Sequence, residues 1–193
     1  MSRLFVALLP PPEVLAEIAT AVEPVRAEWP ELRWVDPARW HVTVAFLGEV
    51  PDEVLPELRV RLARAAARHS AQTVSFGGAG AFPSPARGRI FWLGLDAGPA
   101  LTRLAQSVAA GARRAGAEET DRKRFHPHLT LARSRTRSTR SGHGDDLRPL
   151  VGGALGAFGG RPWEASSVHL VRSHTGATVW YEQVEAYALA VRG

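Results

Sequence analysis

Two short segments pair a histidine with a threonine at the same spacing. They are His41-Val42-Thr43-Val44 and His128-Leu129-Thr130-Leu131, each reading histidine, aliphatic, threonine, aliphatic. Because side chains in a strand alternate between its two faces, each histidine shares a face with the threonine of its own segment. We therefore expect a duplicated unit that brings two imidazoles and two hydroxyls to one cleft.

Two imidazoles in one cleft suit acid–base chemistry at phosphorus. Imidazole titrates near pH 6.5, so that one ring can accept a proton while the other donates one. Threonine hydroxyls can donate hydrogen bonds to the non-bridging oxygens of a phosphate. The pattern predicts an in-line displacement at phosphorus with an alcohol leaving group, and the chemistry requires neither a metal ion nor a cofactor.

The rest of the chain must position these two strands. Apolar periodicity predicts strands at 4–9, 32–35, 41–46, 73–76, 90–95, from 128 onward, 166–171 and 179–189, and helices at 11–24, 51–65, 99–115 and 145–155. We expect Gly48 to end the first motif strand and the Gly- and Pro-rich segment 77–88 to link two strands. Alternation along the first motif strand should direct Val42, Val44 and Phe46 toward the core. Hairpins among helices favour an α+β protein with antiparallel sheets and helices on their outer faces.

Length and composition restrict the class of protein. The 193 residues contain no clear linker, so we expect a single domain over 1–193, and we expect it to be a monomer. The absence of cysteine excludes disulfides, thiolate nucleophiles, zinc ribbons and iron–sulfur clusters. No apolar run approaches the roughly 18 residues of a membrane span, and the first apolar run is short for a signal peptide. We expect a cytoplasmic protein without a membrane or an obligate protein partner.

The charge is basic and is carried almost entirely by arginine. A net charge of +5 raises the local concentration of anions such as nucleic acids. An arginine- and alanine-rich composition is also what a GC-rich genome produces, so the charge leaves both interpretations open. Arg133, Arg135, Arg137 and Arg140 follow the second motif, and with Lys123 and Arg124 they are candidates for contacts with an RNA backbone or for a solvated surface.

The two segments with their flanks resemble a known superfamily. His41-Val42-Thr43-Val44-Ala45-Phe46-Leu47-Gly48 and Phe125-His126-Pro127-His128-Leu129-Thr130-Leu131-Ala132-Arg133 are similar to the paired HxTx motifs of the 2H phosphoesterase superfamily. The closest branch is that of the RNA 2′,3′-cyclic phosphodiesterases, also called 2′-5′ RNA ligases. The resemblance covers almost the whole chain and also includes the opening Arg3–Leu8, the strand around His169 and the pair Tyr181-Glu182.

The resemblance implies a fold, a reaction and residue roles. The fold would be bilobal and pseudo-twofold, with two antiparallel sheets flanking a central cleft. The reaction would be hydrolysis of a terminal RNA 2′,3′-cyclic phosphate to a 2′-phosphate, with ATP-independent 2′-5′ joining as its reverse. His41 would protonate the leaving 3′ oxygen and His128 would activate water, although these two roles are exchangeable. Thr43 and Thr130 would hold the phosphate.

Arg133 is a further candidate for a phosphate contact. Strict alternation from His128 places Arg133 on the opposite face of the strand, so it can reach the phosphate only if the strand ends or bulges there. The basic flank follows the second motif only, which suggests that the His128 side of the cleft meets the longer part of the RNA.

Two other classes of function remain open on the sequence. His126 and His128 are spaced so that they could chelate zinc, with His41 as a third ligand, in a metal-dependent phosphodiesterase. Alternatively, Trp34, Trp40 and Phe125 lie beside basic residues and could stack on bases in a non-catalytic RNA-binding module, although core packing is the more common role of such aromatics.

Overall fold

The computed structural model describes residues 1–117, 124–135, 144–176 and 178–191. The described strands are β1 (Ser2–Leu8), β2 (Arg33–Trp34), β3 (Val42–Val50), β4 (Gln72–Phe82), β5 (Ile90–Asp96), β6 (His128–Arg133), β7 (Trp163–Ala165), β8 (Ser167–His174) and β9 (Trp180–Ala188). The α-helices are α1 (Pro12–Glu28), α2 (Leu55–Ala66), α3 (Gly98–Ala115) and α4 (Arg148–Gly152). Lys123, Arg137 and Arg140 lie outside the described residues.

Most predicted elements are present. The predicted helix 145–155 is only the short α4, and several other differences occur at glycine and proline. The first helix continues through Pro24 to Glu28, because Val25 is buried against the core. The first motif strand continues through Gly48, whose φ of 68° accommodates an irregularity in the strand. The first half of the predicted link 77–88 is instead the second half of β4. The short strand β7 was not predicted.

All pairings between the named strands are antiparallel, which confirms the α+β class. The strand order is β7-β4-β5-β6-β3-β1-β8-β9, and β2 pairs with β6 beside this path. The two expected sheets are continuous, because β3 and β6 join them through the single described pair Val42↔Leu129. One set of strands therefore carries the first motif and the other set carries the second, with the two motif strands adjacent at the junction.

The two faces of the sheet differ in what covers them. One face packs on the buried stripes of the helices, such as Leu58 and Leu62 of α2 and Leu101 and Leu104 of α3, in one large core. A separate small cluster holds Phe5, Ala7 and Val171, with Tyr181 packed against it. None of the described helices has the length and apolar content needed to cross a membrane.

Bulges interrupt the alternation of both motif strands. In the β1–β3 pairing, Val6 faces Ala45 and Ala7 faces Thr43, so Val44 has no partner of its own. In the β5–β6 pairing, Phe91 faces Ala132 and Trp92 faces Thr130, so Leu131 is likewise the extra residue. Each motif is therefore bulged at its second aliphatic position, and the side chains that directly follow change face.

Candidate active site

The same hydrogen bond orients both motif histidines. Nδ1 of His41 donates to the carbonyl oxygen of Arg39 at 2.8 Å, and Nδ1 of His128 donates to that of His126 at 2.6 Å. A carbonyl oxygen can only accept, so the proton of each neutral ring is on Nδ1. Nε2 is then the unprotonated atom of both rings and the one available for proton transfer.

The junction of β3 and β6 brings the two motifs together. Val42 and Leu129, each one residue after its histidine, are fully buried partners. One residue to either side of this pair, the antiparallel register sets His41 across from Thr130 and Thr43 across from His128. Within the first motif, the Thr43 hydroxyl donates to Nε2 of His41 at 3.1 Å. The four predicted side chains therefore lie around one junction.

The bulge in β6 determines where Arg133 lies. Leu131 and Ala132 are both fully buried, whereas Arg133 is exposed. Its charge is near enough to both histidines to lower the pKa of each. Arg133 can face the cleft only if the strand bulges, and β6 does bulge at Leu131.

The matching bulge in β3 corrects the placement of Phe46. Strict alternation turns this residue inward, but 44% of its surface is exposed, because Val44 and Ala45 are both buried ahead of it. In the two motifs, Phe46 occupies the position that corresponds to Arg133. The cleft is therefore aromatic on the first motif's flank and cationic on the second motif's flank.

Aromatic rings surround each histidine. The His41 ring lies 4.7 Å from Phe5 and 5.2 Å from the edge-on ring of Tyr181, measured between centroids. The His128 ring lies 5.0 Å from Phe82 and 5.9 Å from Trp92. These contacts remove water from the imidazoles and limit their rotation.

The burial of both imidazoles disfavours their charged forms. Burial lowers the pKa of His41 to about 4; the Arg39 hydrogen bond opposes this effect, and the charges of His128 and Arg133 add to it. Burial also lowers the pKa of His128, with the charges of His126 and Arg133 acting in the same direction and the His126 hydrogen bond opposing them. Both rings of the free protein are therefore neutral at pH 7.

Comparisons with known proteins identify the family of this chain. A family profile described as the 2′-5′ RNA ligase superfamily matches residues 10–177. The chain belongs to that superfamily. A Thermus thermophilus protein named RNA 2′,3′-cyclic phosphodiesterase is 38% identical over an alignment of 149 positions, which covers 72% of this chain and 71% of that protein. An Archaeoglobus fulgidus protein of the same name is 36% identical over 134 residues, covering 68% and 72%.

A solved structure supports the superfamily fold over the whole chain. The crystal structure of a protein from Thermus thermophilus superposes with a TM-score of 0.74 at 28% identity, and the alignment covers 99% of this chain and 100% of that one. The predicted 2H phosphoesterase-like fold and the predicted family are therefore confirmed.

The alternative metal site is not assembled in this superfamily member. The described residues hold no group of three His, Asp or Glu side chains placed to bind a metal ion, so His41, His126 and His128 do not form the ligand set that a zinc site needs.

The aromatics proposed for base stacking lie in the core. Trp40 is buried, and Trp34 packs edge-on against buried Phe91 while its indole donates to the Trp29 carbonyl at 2.9 Å. Phe125 also packs against the core. The non-catalytic stacking surface built on these three residues is therefore not present.

Sequence reasoning did not identify the aromatic surroundings of the histidines. Phe5, Phe82 and Trp92 come from three different strands, and no local pattern links them to the motifs. Tyr181 was noted only through the family resemblance. Because Tyr181 alternates with exposed Trp180 on β9, its ring lies on the other face of that strand. Only the pairing of β9 with β8 brings this ring to His41.

Proposed function

We propose that the protein hydrolyses the 2′,3′-cyclic phosphate at the end of an RNA chain to a 2′-phosphate, with His41 and His128 as a metal-independent acid–base pair. The observation that carries the proposal is the matched anchoring of the two rings through Nδ1 on adjacent strands. Two basic Nε2 atoms at one junction suit a reaction that must remove one proton and supply another. The names of the relatives supply the substrate class.

The reaction requires one bond to phosphorus to form and one to break. Nε2 of one histidine removes a proton from water, and the water oxygen attacks phosphorus opposite the 3′ oxygen. The bond between phosphorus and the 3′ oxygen breaks, and the other histidine protonates that oxygen. Following the family resemblance, we assign His128 as the base and His41 as the acid; the two anchoring bonds are equivalent, so the reverse assignment uses the same geometry.

Thr43, Thr130 and Arg133 are proposed to hold the phosphate. The Thr43 hydroxyl bonds to His41 in the free protein, and it could instead donate to a phosphate oxygen when substrate enters. Arg133 would add a permanent positive charge beside the developing negative charge on phosphorus. The charge of Arg133 lies near enough to both histidine rings to lower their pKa values. At that position its guanidinium would also attract the anionic substrate.

The chemistry of the bound anion resolves an apparent conflict. One histidine must carry a proton when it acts as the acid, yet both are neutral in the free protein at pH 7. A phosphate anion between the rings favours their charged forms and raises the pKa of whichever ring it contacts. Substrate binding itself would thus protonate the acid.

Several expectations stay predictions. These are the organisation of 1–193 as one bilobal domain, the monomeric state, the cytoplasmic location, the absence of a cofactor, and reverse ligation through a 2′-5′ bond. RNA contacts by Arg124 and Arg135 also stay predictions.

The deciding experiment uses an oligoribonucleotide that ends in a 2′,3′-cyclic phosphate. In excess EDTA, we expect the protein to produce a 2′-phosphate end, identified by resistance to 3′-phosphatase treatment and by phosphorus NMR. His41→Asn and His128→Asn should each lower kcat by about 10³-fold or more, because each removes a general acid or base.

A matched control is available on the outer part of the β8–β9 hairpin. His174 stacks on Trp180 and bonds to Glu182, so His174→Asn removes an imidazole without touching the motif strands, and it should leave kcat within twofold. A 3′-phosphate product, loss of activity in EDTA, or full activity of both motif variants would contradict the proposal.

A further inference from the structure

Three arginines gather on one side of the junction. Arg33 on β2 and Arg133 on β6 are direct partners in an antiparallel pair, so their side chains stand on the same face of the sheet. Arg39 lies at the end of the short 3₁₀ turn Pro37–Arg39, and its carbonyl oxygen anchors His41. The three residues therefore come from three segments that converge beside the two histidines.

This arrangement has no obvious structural purpose. Within the part of the chain that the structure describes, none of the three guanidinium groups forms an ion pair with a carboxylate. Like charges directly opposite each other in a sheet are destabilising. Partial burial of the Arg133 guanidinium lowers its pKa, Tyr181 opposes this effect, and the charges of Arg33 and Arg39 lower the pKa further.

None of the three arginines is a core residue. Arg33 is exposed and Arg39 is half-buried, whereas their neighbours Leu32 and Trp40 are buried. Trp34, next to Arg33, packs into the core, so the alternation of β2 directs Arg33 to the opposite face. The cluster is therefore a cationic surface that extends from Arg133, beside the histidines, to the edge strand β2.

We propose that Arg33 and Arg39 form a second phosphate subsite, which binds the phosphate on the 5′ oxygen of the terminal nucleotide while the cyclic phosphate occupies the histidine junction. This inference rests on the proposed function and specifies its substrate class. An RNA end has such a phosphate in its last internucleotide linkage, whereas a nucleoside 2′,3′-cyclic phosphate has none. The protein thus selects RNA ends over free cyclic nucleotides by charge and not by base.

The kinetic test compares three substrates that differ only beyond the reacting group. They are adenosine 2′,3′-cyclic phosphate, its 5′-phosphorylated form, and the dinucleotide ApA with a terminal 2′,3′-cyclic phosphate. For Arg33→Gln and Arg39→Gln we expect kcat/KM to fall by about three- to tenfold for the two phosphate-bearing substrates. For the nucleoside substrate, kcat/KM should fall by less than about twofold. This difference between substrates distinguishes the loss of a phosphate contact from a general loss of activity.

Arg64→Gln is the matched control. Arg64 is exposed on α2, so this variant loses the same charge at a site remote from the junction, and its three kcat/KM values should keep the wild-type ratios. Equal losses for all three substrates in the Arg33 and Arg39 variants would overturn the subsite. So would a wild-type preference for the dinucleotide that the 5′-phosphorylated nucleotide does not share, because the preference would then come from the upstream nucleoside.

A binding measurement decides the subsite even if turnover fails. If the wild-type protein hydrolyses none of the three substrates, the proposed function is wrong, and calorimetric titration with 2′-AMP and with the dinucleotide ApA carrying a terminal 2′-phosphate still applies. The subsite predicts that the dinucleotide binds more tightly, that added salt reduces the difference, and that Arg33→Gln removes at least about threefold of it. Equal affinity for both ligands, or a difference that both arginine variants retain, would overturn the inference.

Discussion

At the residue scale, the two histidines share an anchor but differ in their surroundings. Both donate Nδ1–H to the carbonyl two residues earlier, which fixes the tautomer and leaves Nε2 for chemistry. His41 is the more strongly affected ring, since its pKa is lowered to about 4. Interacting rings titrate as a pair, so the singly protonated pair is most populated between the two macroscopic pKa values.

This electrostatic arrangement predicts an unusual pH profile. Both histidine pKa values are lowered from 6.5, so the form with one neutral and one protonated ring is most abundant below pH 6.5. The plot of kcat/KM against pH, which reports the free enzyme, should therefore have its maximum below pH 6.5. The kcat maximum should lie at higher pH, because the bound phosphate raises the pKa of the acid.

Steady-state assays from pH 4 to 9 at constant ionic strength check this expectation. A kcat/KM maximum above pH 7, or coincident kcat and kcat/KM profiles, would contradict it. The His174→Asn variant should reproduce the wild-type profile.

At the scale of the elements, the bulge at the second aliphatic position of each motif organises the cleft. The extra residues Val44 and Leu131 both turn the following alanine into the core and the next side chain outward. That side chain is Phe46 in β3 and Arg133 in β6. The two motif strands thus share a backbone conformation but expose different side chains, one aromatic and one cationic. The two flanks of the cleft can therefore bind different parts of one substrate.

The contact between β4 and β5 supports the His128 ring. Gly80 faces Trp92 across the two strands, and a Cβ atom at Gly80 would overlap the indole. Trp92 in turn lies 4.7 Å from the His126 ring and 5.9 Å from the His128 ring. We expect Gly80→Ala to destabilise the protein by about 1–3 kcal/mol through overpacking and to lower kcat/KM by displacing the indole toward the histidines.

Urea unfolding and steady-state kinetics together test this expectation. Gly152→Ala is the control, because a Cβ at that position would have no neighbouring atom within 4 Å. If Gly80→Ala unfolds at the wild-type urea concentration and keeps wild-type kcat/KM, Trp92 does not support the site in this way.

At the scale of the whole molecule, the site lies where the two groups of strands are joined by one described pair. Val42 and Leu129 are fully buried, so the junction packs firmly although the backbone pairing is short. The histidines beside it are partly buried, and burial lowers the pKa of both. The free energy of unfolding and the active site are coupled through the protonation of these rings.

Acid should therefore destabilise the fold through His41. As the pH falls below 6.5 the unfolded chain binds a proton at this residue, while the folded chain does so only near pH 4, so the unfolded state is favoured increasingly over this interval. Between pH 7 and pH 4 the loss from His41 should reach up to about 3 kcal/mol. In urea titrations at the two pH values, His41→Asn should lose less stability than the wild-type protein, and an equal loss in both proteins would contradict this expectation.

The sequence by itself determined the parts of this protein that depend on local pattern. The repeated His-x-Thr segments, the alternation that places each pair on one face, and the periodicity of α1, α2 and α3 all act within a few residues. The α+β class and the superfamily follow from them. The core positions of Trp34 and Trp40 agree with the common behaviour of such aromatics.

The tertiary structure alone decided which side chains meet at the site. A bulge arises from the register of a strand with its neighbours, so neither the exposure of Phe46 nor the position of Arg133 follows from β3 or β6 in isolation. The extension of β4 across a glycine-rich segment likewise depends on its pairing with β5, where Gly80 leaves room for the Trp92 ring. Arg33 joins Arg133 only because β2 pairs with β6, and long-range pairing of this kind leaves no mark on the local sequence.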